Sequence, residues 1–240
     1  MIKRFFDIVF SFCGLLIFSP VLLTFIFLIW INDKGNPLYS ASRVGKDNKT
    51  FRMIKLRSMV LNADKTGVSS TSSNDNRITP IGAIIRKYKL DELMQLWNVL
   101  TGDMSLVGPR PNVESETRNY TKVEKKLLSE KPGITDFASI VFSDEGEILK
   151  NSSNPDLDYN RLIRPWKSRL GIFYTENKSV MIDLKIIFFT VVAIFKKQLA
   201  INWVVEQLKS FNCDEKLINV ASRKEPLKPS KPPGSNKIPE

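Results

Sequence analysis

From Ile8 to Ile31 the chain carries no charged side chain, a stretch longer than the ~20 residues a helix needs to cross a bilayer. Its length, and the lack of a small-residue cleavage site behind it, argue against a secretory leader. Pro20 falls in its middle, where proline removes one backbone hydrogen bond and crowds the preceding turn. Ser19 stands next to it, and a hydroxyl can satisfy a backbone group freed there. Basic residues flank both ends: Lys3 and Arg4 before, and Arg43, Lys46, Lys49, Arg52, Lys55 and Arg57 after. The positive-inside tendency draws both flanks to the cytoplasm. A segment that enters the membrane, breaks at Ser19-Pro20 and returns satisfies both flanks. On pattern alone a kinked span remains an equal alternative.

Beyond it the periodicity shifts. Residues 32–40 (NDKGNPLYS) predict a turn-rich connector. Residues 50–60 (TFRMIKLRSMV) alternate apolar and basic positions, as in a strand or an amphipathic surface stretch. Residues 62–76 are polar and Ser/Thr-rich, the pattern of a mobile loop. Over residues 80–100 the helical spacing places Ile84, Ile85, Tyr88, Leu93, Leu96, Trp97 and Leu100 on one apolar face, and admits a break near Lys89-Leu90. Residues 101–111 form a Pro/Gly-punctuated turn, 113–130 a charged surface helix, and 131–141 a turn running into an extended piece. Helices are predicted over 156–175 and 179–209. The apolar run Ile186–Phe195 is too short to span and suits a core or interfacial helix. Residues 222–240, rich in proline and basic side chains, bury little and predict a disordered tail.

The fold class is therefore mainly α with a small β element (α+β). The expected organisation is a membrane segment at 1–32, a catalytic domain at 33–200, an extra helix at 201–221 and a tail at 222–240.

Composition narrows the chemistry. The formal charge of +11 suits an anionic partner such as a phosphorylated ligand, an acidic membrane surface or nucleic acid. There is no histidine, which excludes Ser-His-Asp hydrolases, Cys-His proteases and histidine-built zinc sites. The two cysteines, Cys13 and Cys213, form no disulfide framework and fit a reducing compartment. Neither a phosphate-binding P-loop nor a dinucleotide fingerprint is present.

What remains is a cluster of acids and bases between residues 52 and 111. Asp91-Glu92 alone would suit a helix N-terminus. Arg86, Lys87 and Lys89 before it, and Arg110 after it, change that. Cations keep a carboxylate ionised, as a nucleophile or a Mg2+ ligand must be, and they can neutralise a diphosphate. Arg110 sits in Gly108-Pro109-Arg110-Pro111, where two prolines fix the backbone under a guanidinium fork suited to phosphate or to a structural ion pair. Lys55 and Arg57, if extended, share one face, either phosphate-binding or simply solvated. Arg77 with Asp75 is a second phosphate contact or a loop-fixing pair. Paired acids beside the basic residues disfavour a nucleic-acid backbone as partner.

These residues resemble the bacterial sugar transferases, the monotopic phosphoglycosyl transferases. The likeness runs from about Lys3 to about Phe195. It is carried by KRFFD (3–7), Ser19-Pro20, KGNPLYSASRVGKDNKTFRMIKLRSM (34–59), NDNRIT (74–79), IGAIIRKYKLDELMQLWNVLTGDMSLVGPRP (81–111), KPGIT (131–135) and YTENKSVMIDLKIIFFT (174–190). The block around Asp91 and the Gly-Pro-Arg-Pro turn is the most specific part. Met94 stands where the family usually has proline, Leu56 and Ser58 replace Phe and Thr, and Asp136-Phe137 replaces a frequent Gly-Trp at a place where substrate contacts, and so the sugar, can vary.

The resemblance implies transfer of a sugar 1-phosphate from a UDP-sugar to undecaprenyl (polyprenyl) phosphate, releasing UMP and initiating cell-surface glycan synthesis. It implies Asp91 as nucleophile, Glu92 as its partner at Mg2+, Arg86 and Arg110 as phosphate or uridine contacts, and Ser19-Pro20 as the break of a re-entrant helix. The expected location is the bacterial inner membrane, with the catalytic domain on the cytoplasmic face. The alternatives are a membrane-anchored UDP-sugar hydrolase and a non-catalytic basic scaffold on lipid. The sequence specifies neither the sugar nor the oligomeric state.

Overall fold

The structure, a computed structural model, describes residues 2–66 and 71–239. The loop expected at 62–76 falls partly outside them. Before residue 67 the chain forms a 3-10 turn at Ala63–Thr66.

Helix α1 (Ile2–Asp33) contains Pro20 and does not stop there. Leu16 is the residue whose carbonyl Pro20, lacking an N–H, leaves unpaired. The Ser19 hydroxyl donates to that carbonyl at 2.7 Å. The expected break is thus a missing hydrogen bond filled by a side chain, not a gap in the helix. Polar residues at both ends of α1 hold the rest of the protein. Arg4 donates to the carbonyls of Val99 and Leu100, Lys3 pairs with Asp183, and buried Asp7 accepts from Ser105 Oγ and Leu106 N, both at 3.0 Å. At the far end Asp33 pairs with Arg57. Between these ties Phe12, Leu16, Ile17, Leu23 and Phe27 are exposed. By length and composition α1 could cross a membrane.

Strands β1 (Leu38–Val44) and β2 (Thr50–Leu56) form an antiparallel hairpin with Ala41 opposite Met53. Asp47 and Asn48 take positive φ in its turn, which short polar side chains tolerate. The alternation at 50–60 is therefore a strand, but the expected connector at 32–40 already contains the start of β1. Thr79 caps α2 (Pro80–Lys87), accepting from Gly82 N at 2.9 Å. A Cβ on Gly82 would lie 1.8 Å from the Ser58 carbonyl oxygen, so only glycine fits. Lys89 takes φ 57, left-handed, and stops the helix at the break the sequence admits. A 3-10 turn (Leu90–Met94) follows, then α3 (Gln95–Thr101). The expected single apolar face does not hold: Ile85 and Leu96 are buried, whereas Ile84, Tyr88 and Trp97 are exposed.

Strand β3 (Ser105–Val107) pairs in parallel with β4 (Gly133–Thr135). Of the surface helix expected at 113–130, only α4 (Glu114–Thr117) and a 3-10 turn at Glu124–Ser129 form. The reason lies in Glu124, which is fully buried. It accepts from Thr121 N at 3.0 Å while Thr121 Oγ1 accepts from Glu124 N, a reciprocal capping box. Arg164 pairs with it at 3.0 Å.

The extended piece expected after β4 ends at Thr135, and α5 (Phe137–Val141) follows directly. Short α6 (Glu145–Ile148) and α7 (Pro155–Asp158) lead through a wide turn to α8 (Arg164–Asn177). Helix α9 (Val180–Phe195) buries Ile182 and Ile186 and exposes Met181, Phe188, Val191 and Phe195. Helices α10 (Lys197–Ser210) and α11 (Glu215–Ser222) close the core, where Trp203 stacks on Phe189 at 4.4 Å. The extra helix expected at 201–221 is thus two helices, beginning at Lys197.

The tail expected to be disordered lies against the domain. Ser230 N donates to Arg161 O, Arg169 to Lys231 O, Thr121 Oγ1 to Pro233 O, and Arg161 Nε to Pro239 O. Leu227 packs on the core. Proline brings no N–H that needs a partner and loses little backbone freedom, so a few arginine-to-carbonyl bonds can hold it.

Candidate active site

The turn Leu90–Met94 has two sides. With close to three residues per turn, Leu90 and Leu93 share a side. They and Met94 pack into the cluster formed by Leu22 and Ile29 of α1 with Leu56 and Ile85. Asp91 and Glu92 lie on the polar side. Lys55, reaching across from β2, stands 3.9 Å from Asp91 Oδ2. Arg110, held in the Pro-Arg-Pro turn after β3, grips Glu92 with both arms, at 2.7 and 3.1 Å, and donates to the Ile134 carbonyl at 2.6 Å.

Two adjacent carboxylates therefore differ in electrostatics. Burial pushes the Asp91 carboxyl above the usual carboxylate range, with Glu92 adding to the push, while Lys55, Arg86 and Lys89 pull it back. Burial opposes ionisation of Glu92 too, but there the Arg110 guanidinium, with Lys89 and Lys55, wins and holds it well below that range. Burial lowers the Lys55 ammonium despite both acids. Glu92 is thus committed to Arg110, and Asp91 is the freer carboxylate.

The remaining expected residues divide. Arg86 stands close enough to favour ionisation of both Asp91 and Asp75. Arg57 does not join the site. β2 ends at Leu56, the alternation stops, and Arg57 turns to Asp33 and the Asn36 carbonyl. Arg77 chelates Asp75 at 2.7 Å and reaches the Ala63 carbonyl, the loop-fixing arrangement of the two considered.

Among the described residues no group of three or more acidic or thiol side chains converges on one point. Mg2+ does not need one, because it binds through one or two carboxylates with substrate phosphates and water completing the shell. Asp91 supplies such a carboxylate. Gln95, fully buried one turn further on, leaves both polar atoms of its amide unpaired. Glu92 fits less well, since both its oxygens already face Arg110.

Past Arg110 opens a small cleft of about 40 Å3, whose walls include Asn112, Tyr120, Asp136, Tyr159 and Lys167. The sequence marks Asp136 as a departure at a position where substrate contacts vary, but does not show the pocket. One signal was available: an acid directly after an extended piece with serine three residues on, the spacing of a helix cap.

The family model described as bacterial sugar transferase matches residues 1–197. A Bacillus subtilis (strain 168) protein, provisionally named an undecaprenyl-phosphate N-acetylgalactosaminyl 1-phosphate transferase, is 45% identical over 56% of this chain and 71% of its own length. The exopolysaccharide production protein ExoY of Rhizobium meliloti (strain 1021) is 32% identical over 81% of this chain and 85% of its own. The UDP-glucose:undecaprenyl-phosphate glucose-1-phosphate transferase of Escherichia coli (strain K12) is 35% identical over 80% of this chain but only 39% of its own, so this chain spans about two fifths of that relative.

Proposed function

Since the chain belongs to the bacterial sugar transferase family, we propose that it moves a sugar 1-phosphate from a UDP-sugar onto undecaprenyl or another polyprenyl phosphate, releasing UMP. The observation that carries this is the two-sided turn at 90–94. Its leucines lie against the apolar helix α1, and its acids face Lys55 and Arg110. One reactive carboxylate thus stands at a boundary that a water-soluble diphosphate and a lipid phosphate can both approach.

In the first step an Asp91 carboxylate oxygen attacks the sugar-bearing phosphorus. A new O–P bond forms, the bond to UMP breaks, and UMP leaves with that electron pair. In the second step an oxygen of polyprenyl phosphate attacks the same phosphorus and the aspartyl bond breaks, restoring the carboxylate. Splitting the transfer lets each substrate meet a small, charged nucleophile in turn. Arg110, oriented by Glu92, and Lys55 offset the charge on the phosphoryl oxygens. Mg2+, held by Asp91, would supply further neutralisation of the diphosphate.

We propose that the site lies on the cytoplasmic face of the inner membrane, with both ends of α1 held at that face. Lys3, Arg4 and Asp7 at one end and Asp33 at the other all hold the same polar domain. A helix crossing the hydrocarbon would carry that domain into it, at a high cost in unsolvated polar groups.

The test is incubation with a radiolabelled UDP-sugar and no lipid. The expected result is UMP release of about one equivalent with label trapped on the protein, and turnover only once polyprenyl phosphate is added. Continuous release of free sugar phosphate without lipid would identify a hydrolase. Absence of both label and UMP would leave a scaffold. Excess chelator should stop the reaction, and full turnover in its presence would remove Mg2+ from the scheme.

A further inference from the structure

We propose that Asp136 selects the transferred sugar, its Oδ2 accepting a hydrogen bond from a sugar hydroxyl in the pocket beyond Arg110. The assignment rests on the transferase reading above and deepens it.

Asp136 caps α5. Its Oδ1 accepts from both Ser139 N, at 2.7 Å, and Ser139 Oγ, at 2.8 Å. Its Oδ2 has no hydrogen-bond partner among the described residues, although the residue is only 2% exposed. That oxygen lies toward α8 at Gly171, where the nearest side-chain atom a glycine could gain would still be 4.0 Å away. Both residues line the pocket. An acceptor without a protein partner on the wall of a cleft is free to take a hydrogen bond from a ligand group that donates to it.

Connectivity favours the substrate as that ligand. One guanidinium, that of Arg110, touches the carboxylate beside the nucleophile and also lines the pocket. A diphosphate lying along Asp91, Lys55 and Arg110 therefore has its next chemical group at the pocket mouth. That group is the sugar or the nucleoside. An ionised carboxylate can only accept hydrogen bonds. The pyrimidine edge of uridine presents two carbonyl acceptors around one N–H, and a carboxylate repels the former. A hexose presents a row of hydroxyl donors. Tyr120 and Tyr159 add apolar faces for the ring; burial pushes the Asp136 carboxyl above the usual carboxylate range, and the Ser139 hydrogen bonds, Arg110 and Lys167 pull it back.

The experiment uses the full-length protein in membranes, polyprenyl phosphate as acceptor, and a panel of UDP-hexoses with their singly deoxygenated analogues. UMP release is read for wild type and for Asp136→Asn, which keeps a helix cap. For wild type, one deoxy position should lower kcat/KM by about tenfold or more, because a site built to bond a hydroxyl rejects the analogue lacking it. Asp136→Asn should lose a similar factor on the parent sugar and no longer distinguish that analogue. Inhibition by UMP, which carries no sugar, should stay within twofold. Equal weakening of UMP inhibition would assign Asp136 to the nucleoside and overturn the proposal. Unchanged discrimination in the variant would overturn it too. So would a wild type indifferent to every deoxy position, which needs no variant to fold. Failure of wild type to release UMP with any UDP-sugar and lipid would instead remove the transferase reading itself.

Discussion

Asp91 is destabilised where it stands, and Glu92 is not. A carboxyl raised by burial ionises less readily in the folded protein than in the unfolded chain, so above the unfolded value of about 3.9 it subtracts from stability. Asp91→Asn removes that penalty along with the proposed nucleophile. The expected outcome is loss of UMP release with a melting temperature about 2–4 °C higher, read by calorimetry. Residual turnover, or a lower melting temperature, would contradict this account of the residue. The carboxylate needed for attack appears only as pH rises through the raised value, so activity falls on the acid side. Lys55→Met removes the leading cation pulling that value down. The acid limb of kcat/KM should then move to higher pH, and kcat should drop about a hundredfold. Glu92 behaves oppositely. Its contribution is present above the unfolded carboxyl value and is lost only as pH falls toward its depressed folded one. That Asp91 and Glu92 would meet Lys55 and Arg110 was legible from residue types and local order. Arg57 was not, because its fate depends on Asp33, beyond the end of the hairpin and on another element.

At the scale of elements, α1 makes a sharp test. The Leu16 carbonyl has the Ser19 hydroxyl in place of a backbone donor. Ser19→Ala should destabilise the protein by about 1–2 kcal/mol, because it leaves a carbonyl unpaired in an apolar segment. Adding Pro20→Leu to Ser19→Ala restores a backbone N–H at the right place and should recover stability, seen as non-additivity in thermal melts in detergent. Additive losses would show that the hydroxyl does not serve that carbonyl. The long apolar helix, the β2 alternation and the stop at Lys89 were readable from local pattern. β1 was not, since its small side chains gain a reason to be extended only from β2. The segment 113–130 misled because charge suggested solvent, whereas Glu124 is buried by a partner forty residues away, Arg164.

For the whole molecule, the mainly helical build with a small β element follows from the repeated 3.6-residue apolar spacing. The closing segment was read wrongly because composition reports how little a stretch can bury, not whether arginines elsewhere can hold its carbonyls. Residues 224–239 bridge Thr121, Arg161 and Arg169, next to Tyr120 and Arg164 of the pocket wall. Deleting 224–240 should lower the melting temperature and raise KM for the UDP-sugar while kcat changes less than about twofold, since no reacting group is touched. A truncated protein with unaltered KM would show that the segment only rests on the surface.

One guanidinium serves two neighbours: Arg110 orients Glu92 on one side and borders the pocket on the other. No change at that arginine can retune one duty and spare the other. On the proposed scheme, diversification toward new donor molecules leaves it untouched and proceeds through the far wall, at positions 120, 136, 159 and 167, away from the carboxylate proposed to react.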